Sequence, residues 1–280
     1  MRVIVTRPER EAQRWVLDLA AQGFDALALP LIEIAPVSDR SALVRAGQQL
    51  ADYRAVMFVS ANAVAQFFIS NKALAAVFTA QAATKTRAWA TGPGTAKALL
   101  HAGVAPERLD APPQDAGQFD SEALWRVVAS QVHIGDRVLI VRGAAAPAGE
   151  TAPAGEPGAL KAEGAGRDWL ARQLVGRGAQ VDWLVAYQRA APAWRADDLQ
   201  LMCQAAGDGS VWLFSSSEAI ANLCAALPGQ DWAGARALAT HPRIAQAARQ
   251  AGFGRVFECR PTLDDVVAAL KRGPTYRAGL

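Results

Sequence analysis

The residues best equipped for chemistry in this chain are hydrogen-bond donors, and they sit in short turns that mostly follow apolar runs. The turns are "TRP" (Thr6–Pro8), "SAN" (Ser60–Asn62), "TGPGT" (Thr91–Thr95), "RG" (Arg142–Gly143), "GR" (Gly166–Arg167), "SSS" (Ser215–Ser217) and "THPR" (Thr240–Arg243). Hydroxyls, guanidinium forks and free backbone N–H groups at helix starts all donate to anions. One exposed helix N-terminus contributes only about 0.3–1 kcal/mol, so tight binding needs several together. Ser, Thr or Asn at a helix start also caps the helix, which leaves each turn a purely structural alternative. Gly92 and Gly94 likewise have the alternative of serving only a tight turn. None of the turns carries a pair of acids, so the set points to a ligand rich in negative charge.

Other catalytic equipment is sparse. "TGPGT" is neither a P-loop nor a G-x-G-x-x-G motif, which argues against nucleotide chemistry. No H-E-x-x-H, nucleophile elbow or paired-cysteine metal signature is present. His101 and His133 fall in or beside helical patterns and read as structural, whereas His241 follows a strand-like run but has no partner legible in the sequence. Tyr187, in "VAYQR", either lines the edge of a core or projects as a proton donor. Cys203, Cys224 and Cys259 are odd in number and lack metal spacing. They read as reduced thiols. The N-terminal "MRVIVTRPER" shows no signal-peptide pattern, and the reading is a cytoplasmic protein.

These turns need elements to position them. The 280 residues suggest two domains, and 51% hydrophobic content supplies core for both. A net charge of +3 does not suggest a nucleic-acid partner. No apolar stretch is long enough to predict a membrane span. Strands are expected at Arg2–Thr6, Asp25–Ile34, Ala55–Ser60, Arg87–Thr91, Arg137–Val141, Gln180–Gln188, Val211–Ser215, Arg236–Thr240 and Arg255–Cys259. Many are continuously apolar, which suits parallel strands covered on both faces by helices.

The order of landmarks recurs. "FVSANAVAQFF" (Phe58–Phe68) corresponds to "FSSSEAIANL" (Phe214–Leu223), and "ATGPGTAKALLHAGV" (Ala90–Val104) to "ATHPRIAQAARQAGF" (Ala239–Phe253). "VIVTRPE", a helix and "GFDALALPLIEIAP" correspond to "VLIVRG", a helix and "GAQVDWLVAYQRAAP". Two similar α/β units are therefore expected. The Ala/Pro/Gly-rich run at 144–165, in which "APAGE" occurs twice, falls inside one strand–helix step. It reads as an insertion within a domain, and its composition predicts a mobile loop.

Across essentially the whole chain these residues resemble the uroporphyrinogen-III synthase family. The resemblance rests on "VTRP", "FVSANAV", "ATGPGTAKAL", "SEAL" (Ser121–Leu124), "VLIVRG", "GRDWLARQLVGRGAQVDWLVAYQR", "LFSSSEAI" and the final "T-x-x-D-V" helix, in that order. It implies two flavodoxin-like parallel-sheet domains joined by a two-stranded β-ladder, with lobe 1 at 1–34 plus 190–280 and lobe 2 at 37–186. It implies a lyase that cyclises the linear tetrapyrrole hydroxymethylbilane to uroporphyrinogen III, without cofactor or metal. Its partner is then a small polycarboxylate tetrapyrrole and not nucleic acid or membrane, and the protein a monomer.

By the same resemblance Tyr187 matches the tyrosine thought to assist departure of hydroxide. Ser60, Asn62, Ser121, Ser216 and Thr240 match cleft positions. Arg7, Arg142 and Arg167 are the candidate carboxylate-binding arginines, with Gly92, Gly143 and Ser215 beside them. The chain departs from the family pattern at "THPRIA", where Ile244 stands in place of a hydroxyl donor. Two rivals share many of these features: an anion-binding α/β protein without turnover, and a nucleotide-dependent α/β enzyme.

Overall fold

A computed structural model describes residues 1–71, 85–146 and 165–272. Its chain divides into two compact units, Met1–Glu33 with Ala190–Leu280, and Ile34–Arg189. The first unit opens with β1 (Arg2–Val5), α1 (Glu9–Ala21) and β2 (Asp25–Ala28). The chain passes along β3 (Glu33–Pro36) into α2 (Ser41–Gln48), β4 (Ala55–Phe58), α3 (Ala61–Ser70), β5 (Arg87–Ala90) and α4 (Pro93–His101). The same unit continues through β6 (Leu109–Asp110), α5 (Ser121–Val128), β7 (Arg137–Ala145), α6 (Ala165–Gly176) and β8 (Gln180–Ala190). The return supplies α7 (Ala196–Ala205), β9 (Val211–Phe214), α8 (Ser217–Ala226) and β10 (Arg236–Ala239). It closes with α9 (Pro242–Gln250), β11 (Arg255–Glu258) and α10 (Leu263–Arg272).

The first unit's sheet runs β11-β10-β9-β1-β2, and all four neighbouring pairs are parallel. The second runs β3-β8-β7-β4-β5-β6, and β8 through β6 are parallel. Taking β7 as a first strand, β8-β7-β4-β5-β6 repeats the order of β2-β1-β9-β10-β11. Both are the doubly wound 2-1-3-4-5 arrangement of flavodoxin-like folds. The fold class expected from the sequence is therefore what the structure has.

The repeat extends to single hydrogen bonds. α4 and α9 each end on a glycine in the left-handed region, Gly103 at φ 93 and Gly252 at φ 94. The next residue then donates back into the helix, Val104 N to Leu99 O and Phe253 N to Ala248 O, both at 3.1 Å. A side chain at either glycine would be strained in that conformation, and the turn aims the chain into the next strand.

Each sheet is sandwiched. In the second unit, alternate residues Val56, Phe58, Leu139 and Val141 pack with Leu43, Phe67 and Leu99 of α2, α3 and α4. Their neighbours Ala55, Met57, Val138 and Ile140 pack with Leu124, Val128, Leu170 and Leu174 of α5 and α6. In the first unit Val3, Val5, Val211 and Leu213 meet Ala12, Leu19, Val266 and Leu270 of α1 and α10. On the opposite face Trp212 and Phe214 join Trp232 and Phe253 in an aromatic cluster. The buried Trp212 indole donates to Ala205 O at 3.1 Å, so burial leaves no unpaired donor there.

Three expected segments differ. Asp25–Ile34, read as one strand, is split between β2 and β3 in different sheets; Pro30 lies in the break and has no N–H to donate to a ladder. The "RG" turn is part of β7, because pairing with β8 continues as far as Ala145 opposite Arg189. The "GR" turn lies in the first turn of α6. Ala144 and Ala145 of the expected loop thus belong to a strand and residue 165 to a helix, while residues 147–164 lie outside the described residues.

Candidate active site

Parallel strands present all their carboxyl ends on one edge, where loops enter helices. In the second unit this edge carries Ser60 after β4, Gly92 after β5, and Arg142 and Gly143 on the end of β7. β4 stops four residues short of the end of β7: its last residue, Phe58, pairs with Val141, and Val59 N donates to Val141 O at 3.2 Å. Ser60 therefore lies beside the last part of β7.

A bulge in β8 supplies the remaining residue. Val185 pairs with Arg142, but Gly143 pairs with Tyr187, so Ala186 is an extra residue in β8. Ordinary alternation would send Tyr187 to the α5/α6 face with Val181. One added residue reverses that alternation, and Tyr187 joins Ala186 on the α2–α4 face.

There the phenol is closely held. A Cβ built on Gly143 would lie 2.9 Å from Tyr187 Cδ2 and nearer still to Cε2 and Cζ, so the ring occupies the space a side chain would take. The hydroxyl lies 3.0 Å from Ser60 Oγ. Ser60 Oγ also accepts from Ala63 N at 3.1 Å as the N-cap of α3. Tyr187 is only 4% exposed. Gly143, a candidate substrate-binding residue, is also the seat of this ring.

Arg142 points to the other face. It is 5% exposed, its guanidinium lies 4.8 Å from the ring centroid of Trp183, and its Nε has no partner among the described residues. The other candidates of this unit are spread along the same edge. Gly92 caps α4 in extended backbone, where a Cβ would meet Phe119 at 3.4 Å. Asn62 lies in the first turn of α3. Ser121 opens α5 and is buried, but the cap is Asp120, whose carboxylate accepts from Ala123 N at 2.8 Å. Arg167 lies in α6, and its side chain lies outside what is described.

In the first unit β10, β9 and β1 are adjacent, which sets Thr240, Ser215 and Arg7 at neighbouring strand ends. Arg7 is already engaged: it donates to Glu11 Oε2 at 3.2 Å and lies 4.6 Å from the Trp15 ring centroid. Burial pulls its pKa down, opposed by the Glu11 charge. Ser216 caps α8, accepting from Glu218 N at 3.2 Å, and Ser215 is partly exposed just before it. Thr240 is buried and its N–H donates to Phe214 O. His241 caps α9 through Nδ1, which accepts from Arg243 N at 3.1 Å. Ile244 is buried in the first turn of that helix.

Sequence reasoning missed the partners that fix these groups. Glu11 and Trp15 sit four and eight residues beyond Arg7, a helical spacing that was available as a signal. Trp183 beneath Arg142 had no comparable signal, because the pairing register of β7 and β8 brings them together. Among the described residues no cluster of three or more His, Cys, Asp or Glu is placed to hold a metal, and no helix is long and apolar enough to cross a membrane.

Fold and side chains together define a class: a two-unit, doubly wound α/β protein with donors along each carboxyl edge and a clamped tyrosine on one of them. The chain belongs to the uroporphyrinogen-III synthase HemD family, whose model matches residues 13–149 and 150–268. It is similar to a uroporphyrinogen-III synthase from Chlorobaculum parvum, 33% identical over 107 residues, which are 38% of this chain and 41% of that protein. A porphyrin biosynthesis protein HemD from Ruminiclostridium josui is 28% identical over 141 residues, 50% of this chain and 26% of that one. The matches thus span less than half the length of these two relatives.

Solved structures of low identity share the fold. A mutant uroporphyrinogen III synthase from the extremely thermophilic bacterium Thermus thermophilus aligns with TM-score 0.52 at 16% identity, covering 97% of this chain and 98% of that one. A uroporphyrinogen-III synthetase from Helicobacter pylori 26695 aligns with TM-score 0.54 at 14% identity, covering 97% and 100%.

Proposed function

We propose that this protein is a uroporphyrinogen-III synthase acting in tetrapyrrole biosynthesis, a lyase that closes hydroxymethylbilane into uroporphyrinogen III. Family membership supports the reaction class, and the clamped phenol of Tyr187 is the observation that carries the chemistry. The hydroxymethyl C–O bond breaks as Tyr187 transfers its proton to the departing oxygen, releasing water. The electron-rich pyrrole takes up the positive charge as an azafulvene cation. The terminal ring inverts through a spiro intermediate, and the proton lost on ring closure restores the phenol.

An ionisation so assisted by the substrate asks little of the protein beyond folding the chain and delaying unrearranged closure. Dispersed donors and a single acid suit that task. Arg142, Arg7, Arg167 and the donor-bearing turns of Asn62, Ser121, Ser215, Ser216 and Thr240 offer the chemistry a polycarboxylate requires, with the backbone of Gly92 beside them. The reading needs no cofactor.

The near-complete burial of Tyr187 favours one other reading, an anion-binding protein without turnover. Purified protein supplied with hydroxymethylbilane separates the two. The synthase yields the type III isomer; formation of the type I isomer alone would refute it.

A further inference from the structure

Ser60 has a second connection that substrate binding does not use. Its Oγ accepts from Ala63 N and so joins the positive end of α3 to the Tyr187 hydroxyl. We propose that Ser60 and Gly143 are positioning residues for Tyr187: the serine donates to the phenolic oxygen, and the glycine seats the ring. This inference rests on the synthase reading above.

Both oxygens of the pair have a proton, so the direction of donation matters. Ser60 Oγ already accepts one hydrogen bond from the backbone. If its own proton goes to Tyr187, the phenol proton is left free to face a departing hydroxyl. When that proton leaves, the negative oxygen keeps a hydrogen bond from Ser60, and behind it the dipole of a ten-residue helix. The bond strengthens as charge develops, which is the condition for lowering a barrier and not merely for binding.

Gly143 sets where the ring lies. Three ring atoms fall within the space of a Cβ there, and the ring belongs to the α2–α4 core, so it cannot give way cheaply. The bulge at Ala186 turns Tyr187 to that face, Gly143 leaves room for it, and Ser60 holds its tip. Three segments distant in sequence thus converge on one side chain.

The test combines kinetics with a label. Ser60→Ala is expected to lower kcat about ten- to a hundredfold, as loss of a hydrogen bond to a charged group does. KM is expected to stay within about twofold. Ser60→Thr, which keeps both hydroxyl and cap, should recover most of the loss. If Ser60 acts through Tyr187, the double variant Ser60→Ala with Tyr187→Phe is no slower than Tyr187→Phe alone; multiplicative losses would overturn the proposal.

Gly143→Ala tests the seat. It should lower kcat with a cooperative thermal transition retained, and a wild-type rate would remove Gly143 from the role. Tyrosine isotopically labelled at Cζ gives a readout that needs no turnover. In Ser60→Ala and Gly143→Ala the Tyr187 resonance should move while that of Tyr53 stays. An unmoved resonance ends the proposal, whereas failure to form the type III isomer with the resonance shifted ends only the synthase reading.

Discussion

The Nε–H of the buried Arg142 has no hydrogen-bond partner among the described residues, a desolvation cost that the Trp183 ring beside the guanidinium offsets only in part. A group retained at such a cost suits a ligand better than a fold. Arg142→Met should therefore leave Tm unchanged or raised, since apolar replacement of buried charge is often neutral or stabilising. The same variant should raise KM for hydroxymethylbilane about tenfold or more. A large fall in Tm with unchanged KM would assign Arg142 to structure. On the proposed mechanism Tyr187→Phe removes the acid and should lower kcat about a hundredfold with the fold intact; near-normal kcat would release Tyr187 from that role.

The cysteines permit a prediction with a sign. Burial, followed by the Asp265 charge, pushes the Cys259 thiol up to about 12, whereas Cys203 is exposed. The reactive species is the thiolate. Alkylation at pH 8 should label Cys203 well before Cys259. Comparable rates would contradict the burial.

Residue types at this scale were legible in the sequence, but their relations were not. Tyr187 and Gly143 stood out, the first as an amphipathic residue in an apolar strand and the second beside an arginine. That one makes room for the other depends on a register shift, and the sequence carries no periodic signal for a single extra residue in a strand.

Among the elements, the helix-after-strand repeat was readable down to Gly103 and Gly252, because left-handed helix ends demand glycine at fixed offsets. β6 was not, being two residues long. Yet its Asp110 organises the strand end: the carboxylate accepts from Arg87, from Trp89 Nε1 at 3.0 Å and from Gln131 Nε2 at 3.2 Å. Asp110→Ala leaves the buried Trp89 indole and two partly buried donors unmatched and should lower stability by about 2–3 kcal/mol in denaturant titration. Asp110→Asn, which keeps an acceptor, should cost less.

At the start of α10, Thr262 donates to the Asp265 carboxylate and Arg260 pairs with it at 3.0 Å; the two hold it below the usual carboxylate range. A lowered native value means stabilisation that is present above the ordinary carboxylate pKa and lost as pH falls through the lowered one. Amide protection in α10 should decline across that acidic window. In Asp265→Asn the decline should vanish, and an unchanged profile would place the acid sensitivity elsewhere.

On the scale of the molecule, the two units differ in how the chain builds them. Residues 34–189 are continuous and hold a six-stranded sheet with a core on each face. Expressed alone they should unfold in one cooperative thermal transition. Residues 190–280 alone lack β1 and β2, and β9 loses its β1 partner. That fragment should show no cooperative transition until a peptide of residues 1–33 is added.

The position of β1 also bears on synthesis. It lies between β9 and β2, so the ribosome makes one central strand of this sheet some two hundred residues before the neighbour that completes it. At about 5–20 residues per second the interval is on the order of ten seconds or more. During it Val3, Ile4 and Val5 have only α1 and β2 of their own unit to shelter them, so their apolar side chains stay without the β9 neighbour that later covers that edge of the strand.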